Sequence, residues 1–376
     1  MYKLLPIVII SFILAALSER TSYSEIDSRG MRHYVYKDRI FFALLTVCMA
    51  IFIGLRTAGN DTYAYRMMFE NIPKGSEAYK SIQWTRMATA PGFVFVSTVL
   101  KHIGCSNQDF IMLFGSFTVC IYMWFLRKYT GGIWLTIFYF ITMGPYTFCL
   151  AAIKQTAAVA FLLIATDRAI TRKYIGFIFW VVIAELFHPY AFVYLVVPFV
   201  AFSPWKSQTY LLMFGTIVVA LSLSRFLGTI LEITETLGAD YDENAFTGAG
   251  VNAFRVIVVW VPVVLSFIAR RRLKKSHDRV QNVIINLSMV NAMIMFVGLF
   301  GTANYFARLA NYFLVFQVLA LPYLLQNFVE NDRRFLRNAS IVGFTLYFYY
   351  AQVIANGRFD NVYRFTTLPE YLRQLL

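Results

Sequence analysis

The feature that most constrains this chain is a succession of apolar runs, each about 14 to 22 residues long, separated by short segments with clusters of Lys and Arg. A helix of that length crosses the hydrocarbon core of a bilayer and satisfies its own backbone hydrogen bonds. Only 14% of the residues are charged, whereas 59% are hydrophobic. The sequence therefore predicts an all-α, polytopic integral membrane protein that forms a single domain over residues 1–376.

Basic residues predict which helix ends share a side of the membrane. The segment 19–39 contains five basic residues and should be cytoplasmic, since Lys and Arg are enriched in cytoplasmic loops. If the short run 91–103 crossed the membrane, every later basic cluster would lie outside. We therefore predict that 91–103 is a re-entrant or interfacial helix. The net charge of +14 is then explained by membrane orientation, and nucleic acid is not expected as a partner.

About twelve crossing helices follow from this topology, with both termini outside. They are predicted near residues 4–18, 40–55, 109–126, 133–149, 151–167, 174–187, 189–202, 208–227, 254–269, 280–300, 308–327 and 338–355. The first of these is treated as a retained helix and not as a cleaved signal. The larger outer loops lie near 56–108 and 228–253. Four cysteines without a CxxC pair predict neither a disulfide framework nor a metal site.

Polar residues are concentrated just after the second apolar run, and this stretch is the predicted chemical centre. Arg56, Asn60, Asp61 and Tyr65 follow one another within ten positions of an otherwise apolar chain, where charge is costly without a partner or a task. Gly59 allows a tight turn, after which Asn60 or Asp61 would cap a helix. The alternative is a loop at a membrane exit followed by a capped helix of no catalytic importance.

Two further polar positions fall at helix ends on the same predicted outer side. Lys154 and Gln155 lie in an otherwise apolar stretch, where a lysine would hold a phosphate or extend its ammonium to the interface. His188 precedes a proline at the end of the run 174–187. It would act as an acid, a base or a hydrogen-bond donor, or else simply satisfy the loop.

Arginines open two later outer helix ends. Arg308 has a tyrosine about one turn to either side, one of them Tyr312, and its planar guanidinium suits bidentate phosphate binding. Arg255 opens another outer helix end and would join the same cluster. Extension of the arginine to the membrane interface is the competing explanation for Arg308.

The outer loop 228–253 is acidic and contains no Lys or Arg. Its Asp240, Asp242 and Asn244 have the spacing of the first three ligands of a calcium loop. Ala245 and Val251, however, replace the glycine and the glutamate that such a loop needs, which argues against calcium. The loop would instead hydrogen-bond and stack on a sugar.

The order of these motifs resembles the Wzy-type bacterial polysaccharide polymerases, in particular the EpsG-like branch. The matching segments are Arg56 with Gly59-Asn-Asp61 and Tyr65, Pro91-Gly-Phe93, Lys154-Gln155-Thr-Ala157, Phe187-His188-Pro-Tyr-Ala191, and Arg308 with Tyr312. Lys154 stands where that family usually has arginine. It keeps the charge but loses the bidentate fork.

The resemblance implies a GT-C-like membrane glycosyltransferase of the bacterial cytoplasmic membrane, with its active site facing outward. Such an enzyme transfers a growing glycan from one undecaprenyl-diphosphate carrier to a new lipid-linked repeat unit. We expect Asp61 to be the base, with His188 as its rival, and Arg56, Lys154 and Arg308 to hold the diphosphate. No metal or other cofactor is expected. The implied partners are the lipid-linked glycans, the bilayer, a chain-length regulator and a flippase.

Two other functions stay open at this point. A lipid-linked oligosaccharide flippase would also have about twelve helices, but it would be expected to show paired halves and charges near the midplane. A ligase that attaches a finished glycan to another acceptor would share the donor chemistry.

Overall fold

The computed structural model describes residues 2–26, 32–73, 75–236, 250–301, 303–355 and 359–375. Half of the acidic loop 228–253 lies outside the described residues, namely 237–249 with Asp240, Asp242 and Asn244. The start of the predicted loop is wrong, because the helix that begins at Ser207 continues to Thr236. The helices are α1 (Leu5–Thr21), α2 (Ile40–Gly54), α3 (Thr62–Glu70), α4 (Glu77–Lys80), α5 (Pro91–His102), α6 (Asn107–Tyr129), α7 (Ile133–Thr142), α8 (Pro145–Ala151), α9 (Ile153–Ile170), α10 (Tyr174–Phe187), α11 (Ser207–Thr236), α12 (Ala253–Ile268), α13 (Arg270–Leu273), α14 (Arg279–Val297), α15 (Ala303–Asn311), α16 (Leu314–Leu325), α17 (Glu330–Tyr349), α18 (Phe359–Val362) and α19 (Leu368–Leu375). Short 3₁₀ helices cover Met87–Thr89 and Ala191–Val200, and a π-helical turn covers Tyr350–Ala355.

The expectation of an all-α chain holds apart from two small ribbons. The strands β1 (Tyr23–Ile26) and β2 (Arg32–Tyr36) form one antiparallel pair, and β3 (Arg56–Ala58) and β4 (Arg364–Phe365) form the other. The second ribbon joins the polar stretch after α2 to the C-terminal segment. Sequence patterning missed it because each strand is only two or three residues long.

The predicted number of twelve crossing helices is not confirmed. By length and composition, α6 and α14 are each able to cross a membrane, and two bent pairs would raise that number to four in the described chain. The predicted helix 133–149 is one such pair, because Gly144 adopts φ +103° and α8 leaves the axis of α7 by 45°. The predicted helix 308–327 is the other, with a bend of 53° between α15 and α16.

Broken helices expose carbonyl groups inside the bundle, and amide side chains of α14 satisfy them. Asn286 Nδ2 donates to the carbonyls of Val200 and Phe202, at 2.7 and 2.8 Å, where the 3₁₀ helix ends. Asn291 Nδ2 donates to the carbonyl of Ala310 at 2.6 Å, beside the bend after α15. Since an apolar interior offers no water to these groups, the amides of α14 make the irregular backbone possible.

The basic loops meet at one end of the bundle, which we call the basic end. Lys37 Nζ donates to the carbonyls of Arg127 and Lys128, at 2.6 and 2.9 Å. Arg272 donates to the carbonyl of Asn327 at 2.7 Å, so the loops before α14 and after α16 also touch. Clusters that are far apart in sequence therefore share one end, as the basic pattern predicted.

The polar motifs lie at the opposite end. Gln108, at the start of α6, donates to the carbonyls of Gly54 and Arg56, at 2.6 and 3.1 Å. Because α2 ends where α6 begins, the segment between them leaves and re-enters at the same end, and α5 does not carry the chain across the bundle. Both terminal segments meet here too, since the Asp360 carboxylate accepts hydrogen bonds from the backbone N–H groups of Tyr2 and Lys3.

Candidate functional site

A tight turn after β3 shapes the first side of the site. Gly59 adopts φ +134° and Asn60 adopts φ +40°, both in the left-handed region that glycine and asparagine tolerate best. A Cβ at position 59 would lie 2.2 Å from the ring of Tyr363, so no larger residue fits. Asn60 Nδ2 donates to the Tyr363 hydroxyl at 2.7 Å. The turn predicted at Gly59 is therefore present, and the C-terminal segment supports it.

Arg56 lies beneath this turn and is fully buried. Its guanidinium donates to the carbonyl of Ile53 at 2.9 Å and to the Thr62 hydroxyl at 3.3 Å. The remaining nitrogen, Nη2, is buried without a hydrogen-bond partner in the described structure. Burial lowers the pKa of Arg56 to about 10, which leaves the group charged at neutral pH. Arg56 thus contributes a positive charge to the site although its side chain does not reach the surface.

Helix α3 presents the predicted base and a tyrosine. Asp61 occupies the N-cap position, but its carboxylate caps no backbone group and is exposed, with no hydrogen bond to any described residue. One turn later, Tyr65 is half-buried and packs edge-on against the ring of Phe93, with 5.9 Å between centroids. Burial raises the pKa of Tyr65 to about 12, with Asp61 acting in the same direction. The Asp61 carboxylate, one turn before Tyr65, remains exposed.

The first turn of α9 brings two more predicted residues to this place. The Lys154 ammonium lies 5.3 Å from the centre of the Phe93 ring and has no carboxylate partner among the residues described. Gln155 is buried, and its Nε2 donates to the backbone carbonyl of Arg308 at 2.5 Å. The amide thereby fixes the position of α15 relative to α9.

His188 ends α10 and is held by a specific pair of contacts. Its Nδ1 lies 2.9 Å from the carbonyl oxygen of Pro189 and 2.6 Å from the hydroxyl of buried Tyr312. A carbonyl only accepts hydrogen bonds, so the contact with Pro189 places the proton of the neutral ring on Nδ1 and leaves Nε2 with a lone pair. Burial, with the positive charges of Arg308 and Lys154, lowers the pKa of His188 to about 4.

Arg308 completes the group. Its side chain is exposed on α15 and makes no hydrogen bond or ion pair within the described part of the chain. Its charge opposes the burial effect on the pKa of Tyr65 and lowers the pKa of His188, so it lies within electrostatic reach of both. Residues from α3, α9, α10 and α15 thus form one cluster, which we call the cation–base cluster: Asp61, Tyr65, Lys154, His188 and Arg308.

Two of the predicted site residues, Asn60 and Arg255, line a neighbouring cavity and do not belong to the cation–base cluster. A cavity of about 550 Å³ is lined by Asn60, Arg255 and Asn311, together with the aromatic rings of Tyr350 and Tyr363. Arg255 Nη2 donates to the Asn311 side chain at 3.3 Å. Amides beside aromatic rings can hydrogen-bond and stack on a sugar ring. We call this cavity the side cavity.

Sequence reasoning missed the contribution of the C-terminal segment. Tyr363 supports the Gly59 turn, and β4 pairs with the strand that carries Arg56. These residues lie some 300 positions away in sequence, and no local pattern signals a pairing of such short strands. The described residues contain no group of three or more His, Cys, Asp and Glu side chains that would hold a metal ion.

The fold and the site together define a helical protein with apolar helices and a cluster of polar residues at one end of the bundle. The family comparison is more specific. The model of the EpsG family matches residues 39–367, and the chain belongs to that family. This confirms the resemblance drawn from the motifs. Membership points to polysaccharide biosynthesis at a membrane. Neither the curated proteins nor the solved structures contain a significant match.

Proposed function

We propose that this protein polymerises undecaprenyl-diphosphate-linked oligosaccharide repeat units into a surface polysaccharide, at the outer face of the bacterial cytoplasmic membrane. The observation that carries the proposal is the cation–base cluster. Two cations without carboxylate partners, Lys154 and Arg308, lie beside a free carboxylate and a neutral imidazole. Such a set binds a diphosphate and accepts the proton of an attacking hydroxyl.

The transfer requires one bond to form while another breaks. A hydroxyl of the acceptor glycan attacks the anomeric carbon of the donor, and the bond from that carbon to the diphosphate oxygen breaks. The electron pair leaves with the carrier diphosphate, where Lys154 and Arg308 stabilise the added negative charge. Buried Arg56 adds a fixed positive charge behind them, as a positioning and electrostatic residue without direct contact with the lipid carrier.

The hydroxyl proton passes to a base, for which Asp61 remains our first choice and His188 its rival. Asp61 is an exposed carboxylate without a hydrogen bond to the described residues, so it needs no rearrangement to accept a proton. His188 offers the Nε2 lone pair, because the Pro189 carbonyl holds the proton on Nδ1. Its low pKa makes its basicity similar to that of a carboxylate.

The side cavity is the proposed binding place for the glycan. It adjoins the turn that carries Asn60, immediately before Asp61, and its lining mixes amides with tyrosines. Arg255 would contact a glycan oxygen there and not the diphosphate. This assignment places the carrier diphosphate in the cation–base cluster and the sugars in the side cavity beside it.

The test uses the full chain in lipid with synthetic undecaprenyl-diphosphate repeat units and follows glycan length on a gel. We expect a ladder with the wild type and none with Asp61→Asn, which keeps the shape of the side chain but not its basicity. A ladder from Asp61→Asn and none from His188→Gln would transfer the role of base to His188. A folded wild type that moves the lipid across the bilayer without extending it would indicate a flippase and refute the proposal.

A further inference from the structure

A second polar cavity lies at the basic end of the bundle, opposite the cation–base cluster. Its volume is about 560 Å³, and its wall comes from β2 and from the loops that follow α6 and α13. We call it the basic cavity. The charged and amide side chains that matter here are Arg32, Lys37, Lys128, Arg272, Lys275 and Gln281.

Positive charge in the basic cavity exceeds the available negative charge. Lys128 is paired with Asp167, and Arg32 is paired with Glu19. Asp278, the acidic residue on the wall, already accepts hydrogen bonds from two backbone N–H groups at the start of α14. The other three cations have no carboxylate partner in the described chain. They are Lys37, Arg272 and Lys275.

An amide on the same wall lacks an acceptor. Gln281 is 5% exposed, and its Oε1 accepts a hydrogen bond from the Ser276 hydroxyl at 3.2 Å. Its Nε2 is buried and donates to no group of the described structure. A buried donor without an acceptor is costly, and the cost disappears if a bound anion supplies the missing oxygen.

The electrostatics of Lys37 agree with an anion in this place. Burial and the neighbouring charge of Arg127 lower the pKa of Lys37 to about 8. The side chain is therefore held where a positive charge is unfavourable, although it is still mostly protonated at neutral pH. A bound anion would reverse this effect and keep the ammonium charged.

We propose that the basic cavity binds a phosphate-bearing anion, with phosphate oxygens accepting hydrogen bonds from Gln281, Arg272 and Lys275. Membrane topology accounts for positive charge spread over a loop, but it does not account for a cavity with a buried amide donor in its wall. The phosphate comes from an anionic phospholipid headgroup of the adjacent leaflet or from a soluble phosphate compound. The inference is independent of the polymerase proposal, because it concerns the opposite end of the bundle.

The chain provides a closely matched control for this proposal. Arg272 and Lys275 line the basic cavity, whereas their neighbours Arg271 and Lys274 do not. The double variants Arg272→Gln/Lys275→Gln and Arg271→Gln/Lys274→Gln remove the same charge from the same loop. All four side chains are exposed, so neither variant disturbs the core. Only the cavity variant loses the hydrogen bond from Arg272 to the Asn327 carbonyl, and the unfolding midpoints without probe measure that effect separately.

The experiment measures the thermal unfolding midpoint of the delipidated full chain in detergent against rising probe concentration. The probes are short-chain phosphatidylglycerol, short-chain phosphatidylcholine and inorganic pyrophosphate. We expect saturable stabilisation by phosphatidylglycerol or pyrophosphate and none by phosphatidylcholine. The half-saturating concentration should rise about tenfold or more in the cavity variant and less than about twofold in the matched control. The variant Gln281→Leu should also raise the half-saturating concentration.

The outcomes separate specific binding from diffuse attraction. Stabilisation by pyrophosphate alone would favour a soluble phosphate compound, and stabilisation by phosphatidylglycerol alone would favour a lipid headgroup. Stabilisation by both would support a site that binds phosphate oxygens from either source. Equal losses in the two double variants would overturn the proposal, because they would show that only net charge matters. Absence of saturation with every probe would also overturn it. Polymerase activity is not part of the readout, so this result stands apart from the proposed function.

Discussion

Replacement of Arg56 by methionine should separate a charge that serves function from one that serves stability. The guanidinium is fully buried, makes two side-chain hydrogen bonds and has no carboxylate beside it in the described structure. Methionine has a similar length and no charge, so Arg56→Met removes the cation with little change in packing. The variant therefore tests whether this buried charge acts on the diphosphate.

Two opposing effects keep the expected stability change small. Hydrogen bonds from a charged donor contribute roughly 1.5 to 3 kcal/mol each, so the two bonds of Arg56 contribute about 3 to 6 kcal/mol. Burial of the charge costs several kcal/mol, which offsets most of that gain. The orphaned Nη2 adds to the cost. We expect Arg56→Met to change the free energy of unfolding by no more than about 2 kcal/mol.

The effect on transfer should be larger. For a leaving-group charge placed about 8 Å from the guanidinium, Coulomb's law with an effective dielectric constant near 20 gives a stabilisation of about 2 kcal/mol. That energy corresponds to about 30-fold in rate at 25 °C. Arg56→Lys keeps the charge and should retain much more activity than Arg56→Met.

The assay combines the glycan ladder with a thermal unfolding curve for each purified variant. Arg279→Met is the matched control, because Arg279 also binds backbone carbonyls but lies at the basic end. It should affect stability without a specific loss of transfer. A folded Arg56→Met protein with activity within about threefold of the wild type would refute the reasoning. Equal losses in the Lys and Met variants would show that the hydrogen bonds, and not the charge, matter.

Three further predictions concern the same end of the bundle. If His188 is the base, Arg308→Gln should move the acidic limb of the pH–rate profile to higher pH, because the arginine charge lowers the pKa of His188. An unchanged acidic limb would show that a group other than His188 titrates there. Gly59→Ala should lower expression and reduce the free energy of unfolding by about 1 to 3 kcal/mol, because the new Cβ would clash with the ring of Tyr363. Wild-type stability of this variant would contradict that contact. Gln155→Leu should lower activity at least tenfold while the protein stays folded, because the backbone carbonyl of Arg308 loses its hydrogen-bond donor. An unchanged glycan ladder would show that other contacts hold α15 in place.

The apolar runs predicted most of the helix positions, but they did not predict where the helices break. The run 133–149 contains no charged residue and is mostly apolar, so hydropathy alone predicts one helix, whereas the structure bends it at Gly144 and Pro145. Glycine and proline permit such a bend without requiring it, since neighbouring side chains decide whether the freed backbone groups find partners. The amides of α14 provide such partners where other helices break or bend, and they come from a distant part of the chain.

The sequence by itself determined the family, the basic end and the residue types of the candidate site, because charge clusters and short motifs are local features. Only the tertiary structure decided which of those residues are buried, which are exposed and which partners they contact. It buries Arg56, leaves Asp61 and Arg308 exposed, fixes the Nδ1 proton of His188 through Pro189, and sends Arg255 to the side cavity. It also joins Tyr363 to Gly59. Burial and partner choice depend on contacts between distant segments, and no local pattern encodes them.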